Sequence, residues 1–228
     1  MIWPLWHSRG SSPLLCSSRN GVIAFIVLFH FTPISLAGDI AEFSVTQNDG
    51  EYRLRIVEVL DAPADYVYHV ITDYTRAYRI NPAITEVEIL PSGEDAVTRV
   101  RNHSEHWVGP FCFDIDWVGD ITELEPGYLR VVTVPEHSSF ESGSAYWRVQ
   151  SEGQHTRVIH ESTLKPKFFV PPVVGELLMK KYLREDTLAT FNRIECNAMI
   201  MLERDMENDT NYLKTLSNSG MDCSNASG

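Results

Sequence analysis

The strongest constraint on the fold is a series of strand-like segments that fills residues 84–164. Short turns rich in Pro, Gly, Ser and acidic residues separate these segments at 91–95, 125–127 and 151–154. Strands that follow one another with connections this short pair with their sequence neighbours. The sequence therefore predicts one antiparallel meander over this part of the chain.

The clearest of these strands is FCFDIDW, residues 111–117. Successive side chains of a strand point to opposite faces. One face therefore carries Phe111, Phe113, Ile115 and Trp117, and the other carries Cys112, Asp114 and Asp116. This separation predicts that the aromatic face meets a core or a cavity and that the acidic face meets water.

Two further elements flank the meander. Residues 51–60 alternate as a strand, and Asp61 and Pro63 predict the start of a short helix that stops near Asp73. After Pro171 and Pro172 a long helix is predicted. Its inward stripe is Val173, Leu177, Leu183, Thr187, Phe191, Ile194, Ala198 and Leu202. Residues 206–228 are rich in polar residues, which predicts a disordered tail.

The first 37 residues have the composition of a targeting segment. They contain no Asp or Glu, carry Arg9 and Arg19, and include an apolar run over 21–36 that ends in Ser-Leu-Ala at 35–37. This layout predicts a cleaved secretory signal peptide, residues 1–37, and a periplasmic or secreted domain over 38–205. An uncleaved membrane anchor is the alternative.

Charge and motifs exclude several classes of function. The 228-residue chain has 31 acidic and 19 basic side chains and a formal net charge of −12, which argues against nucleic-acid binding. No phosphate-binding Gly-rich loop, paired CxxC or HExxH motif is present in the sequence. His103 and His106 are three positions apart on a predicted strand and point to opposite faces, so they are not placed as a chelate and we expect no metal site. We also expect no cofactor.

The predicted order is a strand, short helices, an antiparallel meander and a long C-terminal helix. This is the α+β helix-grip layout, in which a curved sheet wraps around a terminal helix and leaves an internal hydrophobic cavity. The sequence resembles the START and Bet v 1-like (SRPBCC) superfamily, and within it the polyketide cyclase and coenzyme Q-binding START-like branch. The resemblance covers residues 50–200 and is carried by segments 61–64, 73–74, 81–82, 143–147, 156–158 and 168–172, with Leu188, Phe191 and Arg193.

The resemblance implies a hydrophobic ligand held between sheet and helix. The residues expected to line the cavity are Phe111, Phe113, Ile115, Trp117, Trp147, Leu183, Thr187 and Phe191. The alternative is a solid core built from the same side chains. Phe169, Lys180 and Arg184 are expected near the cavity entrance, where the apolar loop at 168–172 is a lid or a transient membrane contact. The alternatives are buried packing for the loop and a solvated surface for the two cations.

The leading functional hypothesis is a monomeric, non-enzymatic carrier of a quinone, an isoprenoid or another lipid. The alternative is a cyclase or aromatase-type enzyme acting on an aromatic or polyketide substrate, which requires polar groups inside the cavity. Arg99, Arg101, His103 and Glu105 share one strand face and supply such groups only if that face points inward. We favour the other register, in which Val100 points inward and the four polar side chains meet solvent.

Overall fold

The computed structural model describes residues 39–93, 95–108, 111–170 and 174–218. The predicted signal peptide lies outside the described residues. The strands are β1 (Asp39–Asn48), β2 (Glu51–Leu60), β3 (Ile84–Leu90), β4 (Val97–Val108), β5 (Phe111–Glu125), β6 (Tyr128–Thr133), β7 (Phe140–Glu152) and β8 (His155–Pro166). The helices are α1 (Ala64–Thr72) and α2 (Val174–Asn218), with short 3₁₀ turns at Tyr74–Arg79 and Pro135–His137.

All eight strands form one antiparallel sheet in the order β1-β2-β8-β7-β6-β5-β4-β3. Strands β3 to β8 are consecutive neighbours, which confirms the predicted meander. The pairing of β2 with β8 then joins the first part of the chain to the end of the meander. With α2 packed on this sheet, the predicted α+β helix-grip class is confirmed.

The sequence pattern does not predict strand β1. It is an edge strand, and most of its side chains are exposed. Only Phe43 and Val45 among them pack, partly buried, against the core. A strand that buries so little leaves a weak alternation signal in the sequence.

The main core lies between the sheet, α1 and the middle of α2. On β2, which the sequence predicts as an alternating strand, Leu54, Ile56 and Leu60 are buried. They belong to one cluster with Phe191, Ile194 and Ala198 of α2 and with Val67, Val70 and Ile71 of α1. The periodicities of strand and helix therefore identified most of the buried face.

The inward stripe predicted for α2 needs one correction. Leu177 is 70% exposed, and Met179 is buried in its place. Leu177 precedes Leu183 by six residues and so lies roughly 120° away from it around a helix. Met179 precedes Leu183 by four residues and shares its face. Val173 lies outside the described residues.

Helix α2 also extends further than expected. It continues to Asn218, so residues 206–218 are helical where a disordered tail was predicted. Once the packed half of a helix has formed, each further residue adds a backbone hydrogen bond without a new nucleation cost. Residues 219–228 lie outside the described part of the chain. Among the described helices, none has an apolar stretch of the length needed to cross a membrane.

Candidate ligand cavity

A cavity of about 160 Å³ lies between the N-terminal half of α2 and the inner faces of β4, β5, β7 and β8. Its wall is mainly apolar, formed by Phe113, Ile115, Phe140, Leu164, Phe168, Met179 and Leu183. Three ionisable side chains complete the lining: His106, Tyr182 and Asp186. The space is thus an apolar pocket with a group of polar side chains in its wall.

Three of the predicted cavity residues meet in this pocket. Phe113 and Ile115 enter it from β5, and Leu183 enters it from α2. The ring of Phe113 lies 5.1 Å, centroid to centroid, from the ring of Phe168, which follows β8. The alternation of β5 therefore directs Phe113 and Ile115 toward the helix.

Other predicted cavity residues form solid packing instead. The ring of Trp147 stacks on Phe191 at 5.7 Å and on His160 at 4.0 Å. Phe191 is fully buried, and Thr187 is partly buried without lining the pocket. In the middle of the domain the sheet and α2 therefore touch, and the cavity lies beside the N-terminal half of α2.

Trp117 lies on the inner face of β5 but outside the pocket. Its indole covers Gly119, where an added Cβ would overlap the ring. The Trp117 Nε1–H donates a hydrogen bond to Thr133 Oγ1 at 3.1 Å. The Phe111 side chain lies outside the described residues.

The three predicted entrance residues are not brought together. Phe169 is 77% exposed, and its neighbour Phe168 lines the cavity instead. Lys180 Nζ pairs with Glu176 Oε1 at 2.8 Å. The Arg184 guanidinium lies 5.3 Å from the centroid of the Phe43 ring, on the side of α2 that faces β1. Phe168 is therefore the aromatic side chain of this loop that borders the cavity.

The register of β4 decides which polar side chains reach the inside. Val100 is buried with only 2% exposure, as the favoured register predicted. Arg99 points outward, where its Nε and Nη2 donate to Asp120 at 2.6 and 2.7 Å. His103 also points outward, with Nδ1 3.3 Å from Asp116 Oδ1. The Arg99-to-Glu105 face is thus on the outside of the sheet.

The inward face of β4 carries polar residues that sequence analysis did not select. Asn102, Ser104 and His106 share the phase of Val100. Counting in steps of two from Val100 would have identified them. The favoured register, with Val100 inward, already implied these positions, and the pairing of β4 with its neighbours fixes that register.

His106 is the centre of a hydrogen-bonded chain. Its Nε2 lies 2.7 Å from Ser104 Oγ, and its Nδ1 bonds the Tyr182 hydroxyl. Tyr182 in turn bonds Asp186, one helical turn further along α2. The Asn81 Nδ2 lies 3.4 Å from each oxygen of Asp186. In one proton arrangement Ser104 donates to His106, His106 to Tyr182, and Tyr182 to Asp186.

Burial disfavours the charged forms of His106, Tyr182 and Asp186 in this hydrogen-bonded chain. It lowers the pKa of His106 below its usual value, and the attraction of the Asp186 carboxylate opposes this only partly. Burial likewise raises the pKa of Asp186 and of Tyr182. All three shifts favour the neutral forms, because a charged group loses its hydration here. Neutral His106 and Tyr182 can each donate or accept a hydrogen bond.

A sequence model of the family described as polyketide cyclase / dehydrase and lipid transport matches residues 60–191. The chain belongs to this family, which includes both START lipid-binding proteins and polyketide cyclases and binds hydrophobic small molecules. No curated protein sequence matches the chain.

Solved structures share the fold. The Zhui aromatase/cyclase from Streptomyces sp. R1128 is 18% identical with a TM-score of 0.54, over 65% of this chain and 94% of that one. A STAR-related lipid transfer protein from Xanthomonas axonopodis is 16% identical with a TM-score of 0.52, over 69% of this chain and 98% of that one. A START superfamily protein from Mycobacterium smegmatis is 14% identical with a TM-score of 0.54, over 65% of this chain and 98% of that one.

Proposed function

We propose that this protein is a non-enzymatic carrier of a hydrophobic small molecule such as a quinone, an isoprenoid or another lipid. The observation that carries the proposal is the apolar cavity between sheet and helix, with hydrogen-bonding groups in its wall. An apolar pocket with a few placed polar groups is the usual form of a small-molecule site. Both ring nitrogens of His106 are already bonded, but the Tyr182 oxygen keeps a lone pair for a ligand hydroxyl, and a ligand carbonyl can accept from Tyr182 in place of Asp186.

The cavity volume limits which part of a ligand fits inside. An engineered protein cavity of about 150 Å³ binds benzene. The volume of about 160 Å³ here therefore accommodates a ring or a short chain segment. A longer tail leaves past Phe168, which lies in the described residues 167–170 after the end of β8. Displacement of this single aromatic side chain enlarges the site.

Filling the cavity is expected to abolish ligand loading. Met179→Trp places an indole in the pocket, whereas Leu177→Trp places the same ring on the exposed side of α2. After incubation with a total lipid extract, native mass spectrometry should show a bound mass on wild type and on Leu177→Trp, with at least about tenfold less on Met179→Trp.

Circular dichroism is the folding control for this comparison, because overpacking costs about 1–3 kcal/mol. Wild-type protein that takes up nothing from the extract would refute the carrier. Equal loading of the two tryptophan variants would refute this cavity as the binding site.

A cyclase or aromatase-type enzyme is the second candidate, and the His106–Tyr182–Asp186 chain favours it. Cyclisation of a poly-β-ketone needs a base that removes a proton next to one carbonyl. It also needs an acid that protonates the oxygen of the carbonyl under attack. A neutral imidazole can accept the proton, and a hydroxyl or a protonated carboxyl can supply one. Groups of both kinds are present at this pocket wall.

Turnover of a synthetic poly-β-ketone thioester separates the enzyme from the carrier. If the protein is an enzyme, Tyr182→Phe and His106→Gln should each lower the rate by about 10²–10⁴-fold. His103→Gln, on the outer face of the same strand, should leave it unchanged. Wild-type protein that loads lipid but releases no cyclised product would exclude the enzyme.

A further inference from the structure

A second concave site lies between α2 and the segment that contains α1 and the first 3₁₀ turn. It encloses about 360 Å³. Four arginines line it: Arg76, Arg79, Arg193 and Arg204. The remaining lining residues are Val70, Asp73, Ile80, Asn197, Ile200 and Met201. We call this site the arginine groove.

Both walls of the arginine groove follow from regular structure. Residues 193, 197, 200, 201 and 204 repeat at helical spacing and so form one stripe of α2. Arg76 and Arg79 come from the opposite wall, in the turn Tyr74–Arg79. Asn197 links the walls, because its Nδ2 donates to Arg193 O at 2.7 Å and reaches Arg79 O at 3.5 Å.

The guanidinium groups in the groove have few acidic partners. Asp73 pairs with Arg76. Over the described part of the chain, no ion pair involves Arg79, Arg193 or Arg204. Elsewhere, each of five arginines contacts a carboxylate: Arg53, Arg55, Arg99, Arg101 and Arg157.

This concentration of positive charge contrasts with the rest of the molecule. The chain as a whole carries a formal net charge of −12. Like charges that face one another across a groove repel, and a bound anion removes that repulsion. A guanidinium presents paired N–H donors that match the oxygens of a phosphate, and several of them suit a multiply charged oxyanion.

Apolar side chains accompany the arginines. Ile80 and Met201 are partly buried in the groove, and Ile200 is 45% exposed beside it. A site for a bare inorganic ion does not need such a border. The combination suits a phosphate group attached to carbon.

We propose that the arginine groove binds the phosphate group of an organic phosphate, with Arg79, Arg193 and Arg204 as its ligands. This site is separate from the apolar cavity, because Arg193 lies seven residues beyond Asp186, or about 10 Å further along the axis of α2. The phosphate belongs either to a soluble phosphate ester or to the headgroup of a membrane lipid. The two sources share the same recognition chemistry.

Calorimetric titration with inorganic pyrophosphate at low ionic strength tests the groove. Wild type should bind saturably, and the double variant Arg193→Gln/Arg204→Gln should bind at least about tenfold more weakly. The matched control is Arg130→Gln/Arg148→Gln, which removes the same charge from exposed sheet positions outside the groove. This control should bind as wild type does.

A vesicle arm distinguishes the two sources of phosphate. Phosphatidylcholine vesicles are compared with vesicles that also contain phosphatidic acid. If wild type binds the acidic vesicles but not pyrophosphate, and the binding depends on the groove arginines, the phosphate belongs to a lipid headgroup. If it binds pyrophosphate but not the vesicles, the phosphate belongs to a soluble ester. Either result supports the groove.

Two results would overturn the proposal. One is that wild type binds neither pyrophosphate nor acidic vesicles. The other is that the control variant loses as much affinity as the groove variant, since binding would then reflect overall charge. Lipid loading of the apolar cavity is measured on the same variants and should be unchanged, so that failure of the groove is distinguishable from failure of the carrier.

Discussion

Phe191→Ala is expected to lower the free energy of unfolding by about 4 kcal/mol. Phe191 is fully buried at the centre of α2, and its ring stacks on Trp147 at 5.7 Å. Removing the ring loses its transfer free energy and leaves a void that the rigid sheet cannot close. Because Phe191 joins the helix to β7, the loss affects the main contact between the two layers.

Urea denaturation at 25 °C measures this effect through the midpoint and the slope of the transition. Leu177→Ala is the matched control on the same helix, because Leu177 is 70% exposed. It should change the free energy of unfolding by less than about 0.5 kcal/mol. A loss below about 1 kcal/mol in Phe191→Ala would contradict the solid packing described for the middle of the domain.

The second large effect comes from two buried carboxyl groups. Glu58 on β2 and Glu195 on α2 are each only 2% exposed. Glu195 Oε1 accepts a hydrogen bond from the Asp61 N–H at 2.7 Å. Their Oε2 atoms have no hydrogen-bond partner among the described residues. Burial, with a contribution from the charge of Glu195, raises the pKa of Glu58 from 4.5 to about 7.

This shift makes Glu58 destabilising at alkaline pH. Between pH 4.5 and about 7 the folded protein holds a proton that the unfolded chain releases, so stability falls as the pH rises through this window. At about 1.4 kcal/mol per pKa unit, the full loss is about 3 kcal/mol. Glu58→Gln keeps the shape of the side chain and cannot ionise.

We therefore expect Glu58→Gln to be more stable than wild type by about 3 kcal/mol at pH 8 and nearly equal to it at pH 4.5. Urea denaturation of both proteins at the two pH values measures the difference. Glu185→Gln, at a side chain that is 67% exposed, should show no such change with pH. A difference between Glu58→Gln and wild type that is the same at both pH values would refute the raised pKa.

The candidate site shows how far sequence periodicity reaches. The alternation of residues 111–117 placed Phe113 and Ile115 on the face that borders the cavity. The same rule gave two possible faces for β4, and the favoured one, with Val100 inward, still needed the pairing of neighbouring strands to fix it. Strand pairing made the choice: Ser104 lies opposite Ile115 and His106 opposite Phe113, so His106 points into the cavity.

The entrance residues show a different limit. Phe168 and Phe169 are adjacent in the sequence and chemically identical, yet one lines the cavity and the other is 77% exposed. They follow the end of β8, so the two-residue alternation of a strand does not predict the direction of either side chain. The direction of each side chain there depends on Phe113 and Phe140, which contact Phe168 from distant strands.

By itself, the sequence determined the order of the elements from β2 to α2, the antiparallel meander and the inward faces of its best-patterned strand and helix. These features follow from local backbone periods of two and 3.6 residues, and the resemblance carried by residues 50–200 led to the family. Only the tertiary structure decided where the domain is solid and where it is hollow. Trp147 meets Phe191, and His106 meets Tyr182, across 44 and 76 residues of chain. Such contacts depend on how side chains from different elements fill a shared volume, which no local pattern records.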